Sequence, residues 1–560
     1  MTVVDVLRKR FASFPARANA RRHGRPWWRS ARSIVSGGLQ RDAWLTMAAV
    51  IVAFAIAVWH ADKPSLDFDE LFAVGLASQP LSVMWHFLWG KECQMTLYYL
   101  ILHGWLGVLA ALGLGHSELL LRLPSLVAVG LTAGVLYRMG VRWWGRAAGF
   151  VAALVFATNP VLLRQAQEAR GYAFQVLLLS LAWYVFLVAI EKADDTAIAP
   201  RRRWWIAFAV LLTLAIYAHI DTMVCALAFP VALAALALAP AAPGADVTVF
   251  ARWRVRARAS VRPFALSALA VGVAVLPLAI DAAIHGGGNG WVLPFTPGRL
   301  VRMVHDNFFA SVTWVIVPML ALLLLAVLPA VLRSRRSSVP QIRPLTPPTL
   351  AVFAWFAVIW ILFCTLPMHL FHWRYLVVTV APFALLMGVA VSRVGPVVAR
   401  TTLLLLLVVM VAGLPSAYHA MPREDYRTVG RWLDARMQPG DGAVCWPNPY
   451  CAFTVGYYVR DLNPATMMYA GVWDWDRRIC YHQLPACAAP PFSDGPTLAT
   501  YLMGQQRVWL VLAPHGLTPP VAHQEERDEM QLIAAAGFHP VDGMSLITNQ
   551  AVIILYERSR

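Results

Sequence analysis

The chain has 560 residues, of which 59% are hydrophobic and 14% are charged, and its mean hydropathy is +0.58. These values exclude a soluble globular protein and indicate a membrane protein with several spans. The formal charge of +17 does not indicate a nucleic-acid partner, because residues 418–560 carry a net charge of −3 and the remaining residues carry +20.

The N-terminal arm, residues 1–42, holds ten lysines and arginines against two aspartates. No small-residue cleavage site follows the first apolar run at 43–59, so the arm does not resemble a secretory signal. Arg21 and Arg22 are consecutive arginines, but this pair alone does not indicate a twin-arginine export signal. We expect a cytoplasmic arm that contacts anionic lipids, followed by a retained anchor.

Ten further apolar runs are long enough to cross roughly 30 Å of hydrocarbon. They lie at about 119–137, 147–163, 174–190, 204–220, 222–240, 264–284, 310–332, 350–367, 375–391 and 402–417. With the first run they predict about eleven transmembrane helices over residues 43–417. The run 97–114 is ambiguous, and counting it as a span would reverse the orientation of every later loop.

The distribution of basic residues resolves this ambiguity. If 97–114 lies in the membrane interface, most loop cations fall on the cytoplasmic side, as the positive-inside rule requires. They are Arg138, Arg142, Arg146, Lys192, Arg201 to Arg203, Arg252, Arg254, Arg256, Arg258, Arg262, Arg333, Arg335, Arg336, Arg343, Arg393 and Arg400. Eleven spans then place the first outer loop, 60–118, and residues 418–560 outside the cytoplasm.

Residues 418–560 change in character and predict an extracytoplasmic α/β domain. Strand-like runs lie at 443–446, 507–513 and 551–556, and helix-like segments lie at 423–437 and 524–536. Four cysteines fall here, and an oxidising compartment allows two disulfides in three connectivities, of which 445–451 with 480–487 is the simplest. Cys225 and Cys364 are expected to be packing residues.

The predicted outer loops gather polar residues at one face of the membrane. The first loop contains Asp67, Asp69, Glu70 and Glu92, and later loops add Glu168 with Arg170, His219 with Asp221, His305 with Asp306 and Asn307, and His369 and His372 with Arg374. Carboxylates near hydrocarbon cost roughly 2.5–3.5 kcal/mol each unless they face water, a metal or a substrate. An aspartate can deprotonate an acceptor, arginine can hold a phosphate, and histidine or glutamate can bind a divalent cation.

The order of these motifs resembles a known family. The motifs are Leu66-Asp-Phe-Asp-Glu-Leu-Phe72, Glu92-Cys-Gln-Met-Thr-Leu-Tyr-Tyr99, Leu121-Arg-Leu-Pro-Ser125, Gln165-Ala-Gln-Glu-Ala-Arg-Gly-Tyr172, Tyr217-Ala-His219 and Arg374-Tyr375. Over residues 43–415 the chain resembles the bacterial branch of the GT-C glycosyltransferases, the relatives of protein O-mannosyltransferases and of the aminoarabinose transferase that modifies lipid A.

The resemblance implies an inverting transfer of a sugar from a polyprenyl-phosphate donor to a lipid, glycan or protein acceptor at the outer face of the inner membrane. It implies Asp69 as the general base, with Glu70 beside it. Substrate-binding residues would be Tyr98, Glu168, Arg170, Tyr172, His219, Arg374 and Tyr375. Many relatives carry His-Pro-Pro or Lys-Pro-Pro where this chain has Gln94-Met-Thr96, so Glu92 is the only nearby acid for a divalent metal ion.

Simpler interpretations stay open for several of these residues. Asp67 is expected to be solvated or to cap the following helix. Glu168 and Arg170 can form a plain ion pair, His219 can be a packing residue, and Arg374 can be a snorkelling side chain.

Two other function classes also stay open. One is a transporter or flippase that moves a lipid-linked sugar without chemistry; such proteins usually place ionisable residues near the middle of the membrane. The other is a non-catalytic scaffold whose outer domain binds a partner, and it predicts that Asp69 and Arg374 are replaceable.

Overall fold

The computed structural model describes residues 27–560 with gaps. The gaps are 91, 116, 195–197, 242–245, 286–291, 293, 310–344, 369, 395, 420–424, 447–454, 460–466, 470–494, 513–526, 528–529, 546–551 and 560. Residues Ala49–Arg560 form one compact unit.

Helices dominate the first three quarters of the chain. In chain order they are α1 (Trp27–Val58), α2 (Phe68–Ala77), α3 (Leu81–Leu88), α4 (Thr96–Ala111), α5 (Glu118–Trp144), α6 (Arg146–Ala157), α7 (Pro160–Ala166), α8 (Tyr172–Glu191), α9 (Ile198–Ala218), α10 (Thr222–Cys225), α11 (Ala228–Leu238), α12 (Val247–His285), α13 (Pro297–Phe309), α14 (Pro347–Thr365), α15 (Trp373–Leu376), α16 (Val380–Arg393) and α17 (Pro396–His419). Most pack into one helical bundle with a continuous apolar core.

Six helical stretches among the described residues are long and apolar enough to cross a membrane. They are Arg41–Val58, Glu118–Trp144, Tyr172–Glu191, Val247–His285, Pro347–Thr365 and Trp373–Arg393, and the bent pair α6 and α7 would make a seventh. The chain is therefore a membrane protein, as predicted, and the count of eleven spans stays a prediction. The predicted run 310–332 lies outside the described residues, and 97–114 corresponds to α4, one of the shorter apolar helices.

Small residues allow the closest approaches within the bundle. A Cβ atom added to Gly388 on α16 would collide with the backbone carbonyl oxygen of Ala148 on α6. Gly140 on α5 meets the backbone of Gly149 on α6 in the same way. Such contacts bring helix backbones together where lipid supplies little hydrophobic drive for association.

The C-terminal region, which we define as residues 425–559, contains a mixed β-sheet. Its elements are α18 (Tyr426–Asp434), β1 (Gly442–Trp446), β2 (Met467–Tyr469), α19 (Gly495–Met503), β3 (Arg507–Leu512), β4 (Phe538–Ser545) and β5 (Val552–Arg558). The strand order is β2-β1-β3-β5-β4, with β2, β1 and β3 parallel and the other pairings antiparallel. The three predicted strands correspond to β1, β3 and β5.

The alternation of side chains along β3 gives the sheet two buried faces. Trp509 and Val511 belong to the apolar cluster that also contains the bundle. Val508, Leu510 and Leu512 point to a second cluster that includes Leu498 and Leu502 of α19. The sheet is therefore packed against the bundle through one face.

The structure describes only some of the cysteines. Cys225 is buried and Cys364 is half-buried, and both are free thiols, in agreement with a packing role. The predicted disulfides involve Cys451, Cys480 and Cys487, which lie outside the described residues.

Candidate active site

The acidic segment after the first long helix forms the start of α2. Asp67 is its N-cap, and its carboxylate accepts from the Glu70 amide at 2.8 Å. Glu70 accepts in return from the Asp67 amide at 3.2 Å, which completes a capping box. The expectation that Asp67 caps the following helix is confirmed. Burial, and then the carboxylates of Glu70 and Glu168, raise the pKa of Asp67 to about 8.

Glu70 forms a fully buried ion pair with Arg122 of α5. The two contacts measure 2.8 and 2.6 Å, and the side chains are 1% and 0% exposed. The Ala169 amide also donates to Glu70, at 2.8 Å. Glu70 thus links α2, α5 and the loop between α7 and α8. A carboxylate with these partners positions neighbouring elements.

Asp69, the next residue towards the N-terminus, has different surroundings. Its side chain is 30% exposed, and its Oδ2 accepts from Arg374 on α15. Its backbone carbonyl accepts from Arg170 at 3.4 Å, and Arg170 donates at the same distance to the hydroxyl of Tyr99. The structure therefore brings together Asp69, Arg170 and Arg374, which are far apart in the sequence.

The loop between α7 and α8 adds a second acid and a further arginine. Glu168 is buried and accepts from Gln165 at 3.0 Å, and it lies 3.5 Å from Arg164. The guanidinium of Arg164 stacks 4.2 Å from the centre of the Trp373 ring, and that of Arg374 lies 5.3 Å from the same ring. Trp373 thus contacts two guanidinium groups, of which that of Arg374 pairs with Asp69 and that of Arg164 lies near Glu168.

His219 lies between two aromatic rings at the end of α9. Its ring centroid is 4.9 Å from Tyr172 and 5.8 Å from Tyr375. Burial and the nearby Arg170 charge lower the pKa of His219 to about 3, so the ring is neutral at physiological pH. The Asp221 amide donates to His219 Nδ1 at 3.3 Å, which leaves the proton on Nε2. In the described part of the chain, this buried Nε2 has no hydrogen-bond partner.

Glu92 and Tyr98 complete the set of predicted site residues. Burial raises the pKa of Glu92 to about 7, although the Arg170 charge and a hydrogen bond from Tyr99 oppose the rise. Tyr98 is fully buried and its ring packs 5.9 Å from that of Phe174. The neighbouring Tyr99 is the tyrosine that contacts Arg170.

A divalent metal ion has little support from the side chains around Glu92. The described residues contain no group of three or more histidine, cysteine, aspartate or glutamate side chains arranged to hold a metal. The groups that act on the Glu92 carboxylate are the cation Arg170, the carboxylate of Asp69 and the hydroxyl of Tyr99, and the adjacent guanidinium already supplies positive charge where a metal ion would bind. We therefore derive no step through a metal. The side chains of His305, Asp306, Asn307 and His369 lie outside the described residues.

Four residues of the site were not assigned a role from the sequence, and one of them is Arg164, which lies next to the motif that begins at Gln165. Arg122, Tyr99 and Trp373 all lie in or beside the quoted motifs. The signal for Arg122 was an arginine within the apolar run 119–137, since a charge at that depth requires a partner. The signal for Trp373 was only its position next to Arg374.

Comparisons with known proteins show what the chain is similar to in sequence and in fold. The family model described as the protein O-mannosyl-transferase TMEM260 N-terminal domain matches residues 137–239. The structure of ArnT from Cupriavidus metallidurans in the apo state matches with a TM-score of 0.57 and 13% identity, over 92% of this chain and 98% of that chain. ArnT from the same organism bound to undecaprenyl phosphate matches with a TM-score of 0.55 and 14% identity, over the same shares.

A weaker match is the archaeal oligosaccharyltransferase AglB from Archaeoglobus fulgidus, in complex with an inhibitory peptide and a dolichol-phosphate. Its TM-score is 0.47 and its identity 12%, over 92% of this chain and 74% of that chain. No curated protein matches the chain in sequence. The chain has the fold of ArnT, and the predicted resemblance to the GT-C glycosyltransferases is confirmed.

Proposed function

We propose that this protein is an inverting glycosyltransferase that moves a sugar from a polyprenyl-phosphate donor to an acceptor at the outer face of the bacterial inner membrane. The acceptor is a hydroxyl or amine of a membrane lipid, a glycan or a protein. The proposal includes about eleven spans, a cytoplasmic N-terminus and an extracytoplasmic C-terminal region. The ArnT fold supports it, and so does the fact that ArnT has been solved with undecaprenyl phosphate bound.

The observation that carries the proposal is the environment of Asp69. Its carboxylate is part exposed, it contacts Arg374, and Arg170 donates to its backbone. A base for an incoming acceptor and cations for a departing phosphate are thus adjacent. Glu70, which is buried against Arg122, has a positioning role in this scheme.

The transfer can be written as one displacement. The acceptor oxygen or nitrogen bonds to the anomeric carbon as its proton passes to a carboxylate oxygen of Asp69. The bond from that carbon to the phosphate oxygen breaks on the opposite face, and polyprenyl phosphate leaves with the electron pair. Arg374 and Arg170 stabilise the charge that develops on the phosphate, and losing one such oriented donor costs about 10²–10³ in rate.

The contact between Asp69 and Arg374 suggests an order of events. While Arg374 faces Asp69, the carboxylate is a weak base, because a neighbouring cation favours its charged form. A bound donor phosphate competes for the same guanidinium with two charge-assisted hydrogen bonds. Donor binding therefore frees the carboxylate to accept a proton, and the base becomes strong only when the donor is in place.

The residues around His219 form a wall for the sugar in this scheme. Tyr172 and Tyr375 offer ring faces, and the Nε2–H of neutral His219 is a donor without a partner among the described residues. We assign this group to a hydrogen bond with a sugar oxygen. Glu168 holds Arg164 next to Trp373 and so supports the phosphate end of the site.

The test uses purified full-length protein and a panel of undecaprenyl-phosphate-linked sugars, scored by release of undecaprenyl phosphate. We expect Asp69→Asn to abolish release, because the amide cannot accept the proton, while the fold is retained. Asp62→Asn is the matched control, since this carboxylate lies in the same loop, is 58% exposed and contacts Lys63.

Near-normal turnover by Asp69→Asn would remove Asp69 from the role of base. No release from any donor by the wild-type protein would favour transport of a lipid-linked sugar without chemistry. A product with the anomeric configuration of the donor would rule out single displacement.

A further inference from the structure

Segment 61–66, which leads into the helix that carries Asp69, is held by hydrogen bonds from two sides. From the bundle, Arg122 donates to three of its backbone carbonyl oxygens, at 2.7, 2.9 and 2.9 Å. From the C-terminal region, Arg427 of α18 donates to two of its carbonyl oxygens, at 3.1 and 3.0 Å. The hydroxyl of Tyr458 accepts from the Leu66 amide at 2.8 Å.

Glu118, at the start of α5, connects the two groups from the C-terminal region. Its Oε1 lies 2.8 Å from Arg427 Nε and accepts from the Tyr458 hydroxyl at 3.3 Å. We call Arg427, Tyr458 and Glu118 the loop clasp. Glu118 lies about one helical turn before Arg122, so both sets of contacts with segment 61–66 are anchored on the same helix.

The loop clasp is not required to attach the C-terminal region to the bundle. Tyr426, Val429 and Leu433 of α18 are buried in the same apolar cluster as the bundle core, together with Val455 and Val459. Apolar packing is non-directional and fixes no single position of a loop. Donors and acceptors aimed at the backbone of one short segment do fix its position.

The segment is close enough in the chain to control the proposed base. Leu66 precedes Asp69 by three residues, and Asp67 between them is the N-cap of the helix that starts at Phe68. A shift of Leu66 therefore moves the first turn of that helix. Misplacing a reacting group by about 1 Å can cost about 10²-fold in rate.

We propose that Arg427 and Tyr458 are positioning residues through which the C-terminal region holds Asp69 in register with Arg374. This inference rests on the proposed function and gives the C-terminal region a part in it. The residues do not contact the reacting atoms. They act through the backbone of segment 61–66, and Glu118 keeps both of them on that backbone.

Four full-length variants test the inference. Arg427→Ala removes the donors to the segment, Arg427→Lys retains a cation, and Tyr458→Phe removes the acceptor of the Leu66 amide. Arg431→Ala is the matched control, because Arg431 lies one turn further along the same helix and is exposed. Each protein is measured by hydrogen exchange of the peptides that cover residues 61–71 and by the kinetics of undecaprenyl phosphate release.

We expect exchange at Leu66 to become ~10-fold faster in Tyr458→Phe, because its hydrogen bond is lost. In Arg427→Ala we expect kcat to fall ~10-fold while KM for the donor changes by less than about twofold, because only the geometry of the base is altered. Arg427→Lys is expected to recover part of kcat, and Arg431→Ala to match the wild type in both measurements.

Unchanged exchange of residues 61–71 in Arg427→Ala and Tyr458→Phe would overturn the inference, whatever their activity. Faster exchange with unchanged kcat and KM would also overturn it and leave the proposed function standing. If the wild-type protein releases no undecaprenyl phosphate from any donor, the proposed function fails and the role in transfer fails with it.

Discussion

Both oxygens of the Glu70 carboxylate accept hydrogen bonds, and Glu70→Gln turns one of them into a donor group. Oε1 accepts from Arg122 Nε and the Ala169 amide, each at 2.8 Å. Oε2 accepts from Arg122 Nη2 at 2.6 Å and from the Asp67 amide at 3.2 Å. Whichever of the two positions the glutamine NH₂ group takes, it faces two N–H groups that lose their acceptor. Each buried donor left without an acceptor costs about 1–3 kcal/mol of stability.

The substitution also leaves the fully buried Arg122 guanidinium without its counter-charge. Removing one partner of a buried ion pair typically costs about 3–5 kcal/mol, and we expect a loss of stability in that range. The matched control is Glu191→Gln. Glu191 pairs with Arg142 at 2.9 Å, but both side chains are about 30% exposed (29% and 31%). Such a pair is worth about 1 kcal/mol or less.

The assay is equilibrium unfolding of both purified variants in mixed detergent micelles at pH 7, followed by tryptophan fluorescence. The reasoning is refuted if Glu70→Gln loses no more stability than Glu191→Gln. It is also refuted if Glu70→Gln keeps wild-type stability and loses only turnover, since Glu70 would then belong to the chemistry.

Two further predictions concern the start of α2 and the packing of the bundle. Because the pKa of Asp67 rises from 3.8 to about 8 on folding, the folded state binds the extra proton and stability should fall as pH rises between these values. Asp67→Asn keeps the cap without ionising and should remove that fall in melting curves recorded from pH 5 to pH 9, whereas Asp67→Ala should lose about 1 kcal/mol throughout. Gly388→Ala should cost about 1–3 kcal/mol, because its Cβ collides with the carbonyl of Ala148. In the same thermal melts, Gly272→Ala should be neutral or stabilising by up to about 1 kcal/mol, since a Cβ there meets no described atom within 4 Å.

Much of the site could be predicted because its residues lie in ordered motifs. Asp69, Arg170 and Arg374 were selected from the sequence, and the structure places them in contact. Their distance in the chain did not prevent this, since the predicted alternation of loops across the membrane puts them on one face.

The orientation of adjacent residues could not be predicted. Asp69 and Glu70 are consecutive on a helix, where successive side chains diverge by about 100°, so one faces the site and the other the bundle. The sequence pattern does not show which of the two carboxylates faces the site, because this depends on where α5 lies. Tyr98 and Tyr99 are also consecutive on a helix. The sequence predicted Tyr98 as the substrate-binding residue, but Tyr98 packs against Phe174, and Tyr99 is the one that contacts Arg170.

The contact between Asp69 and Arg374 joins residues that are 305 positions apart in the chain. During synthesis Asp69 is made long before its partner exists, and a product of translation that ends before Arg374 cannot form this contact. If the proposed function holds, the chain consumes no donor before Arg374 has been made, and copies that end before it add no transfer activity to the membrane.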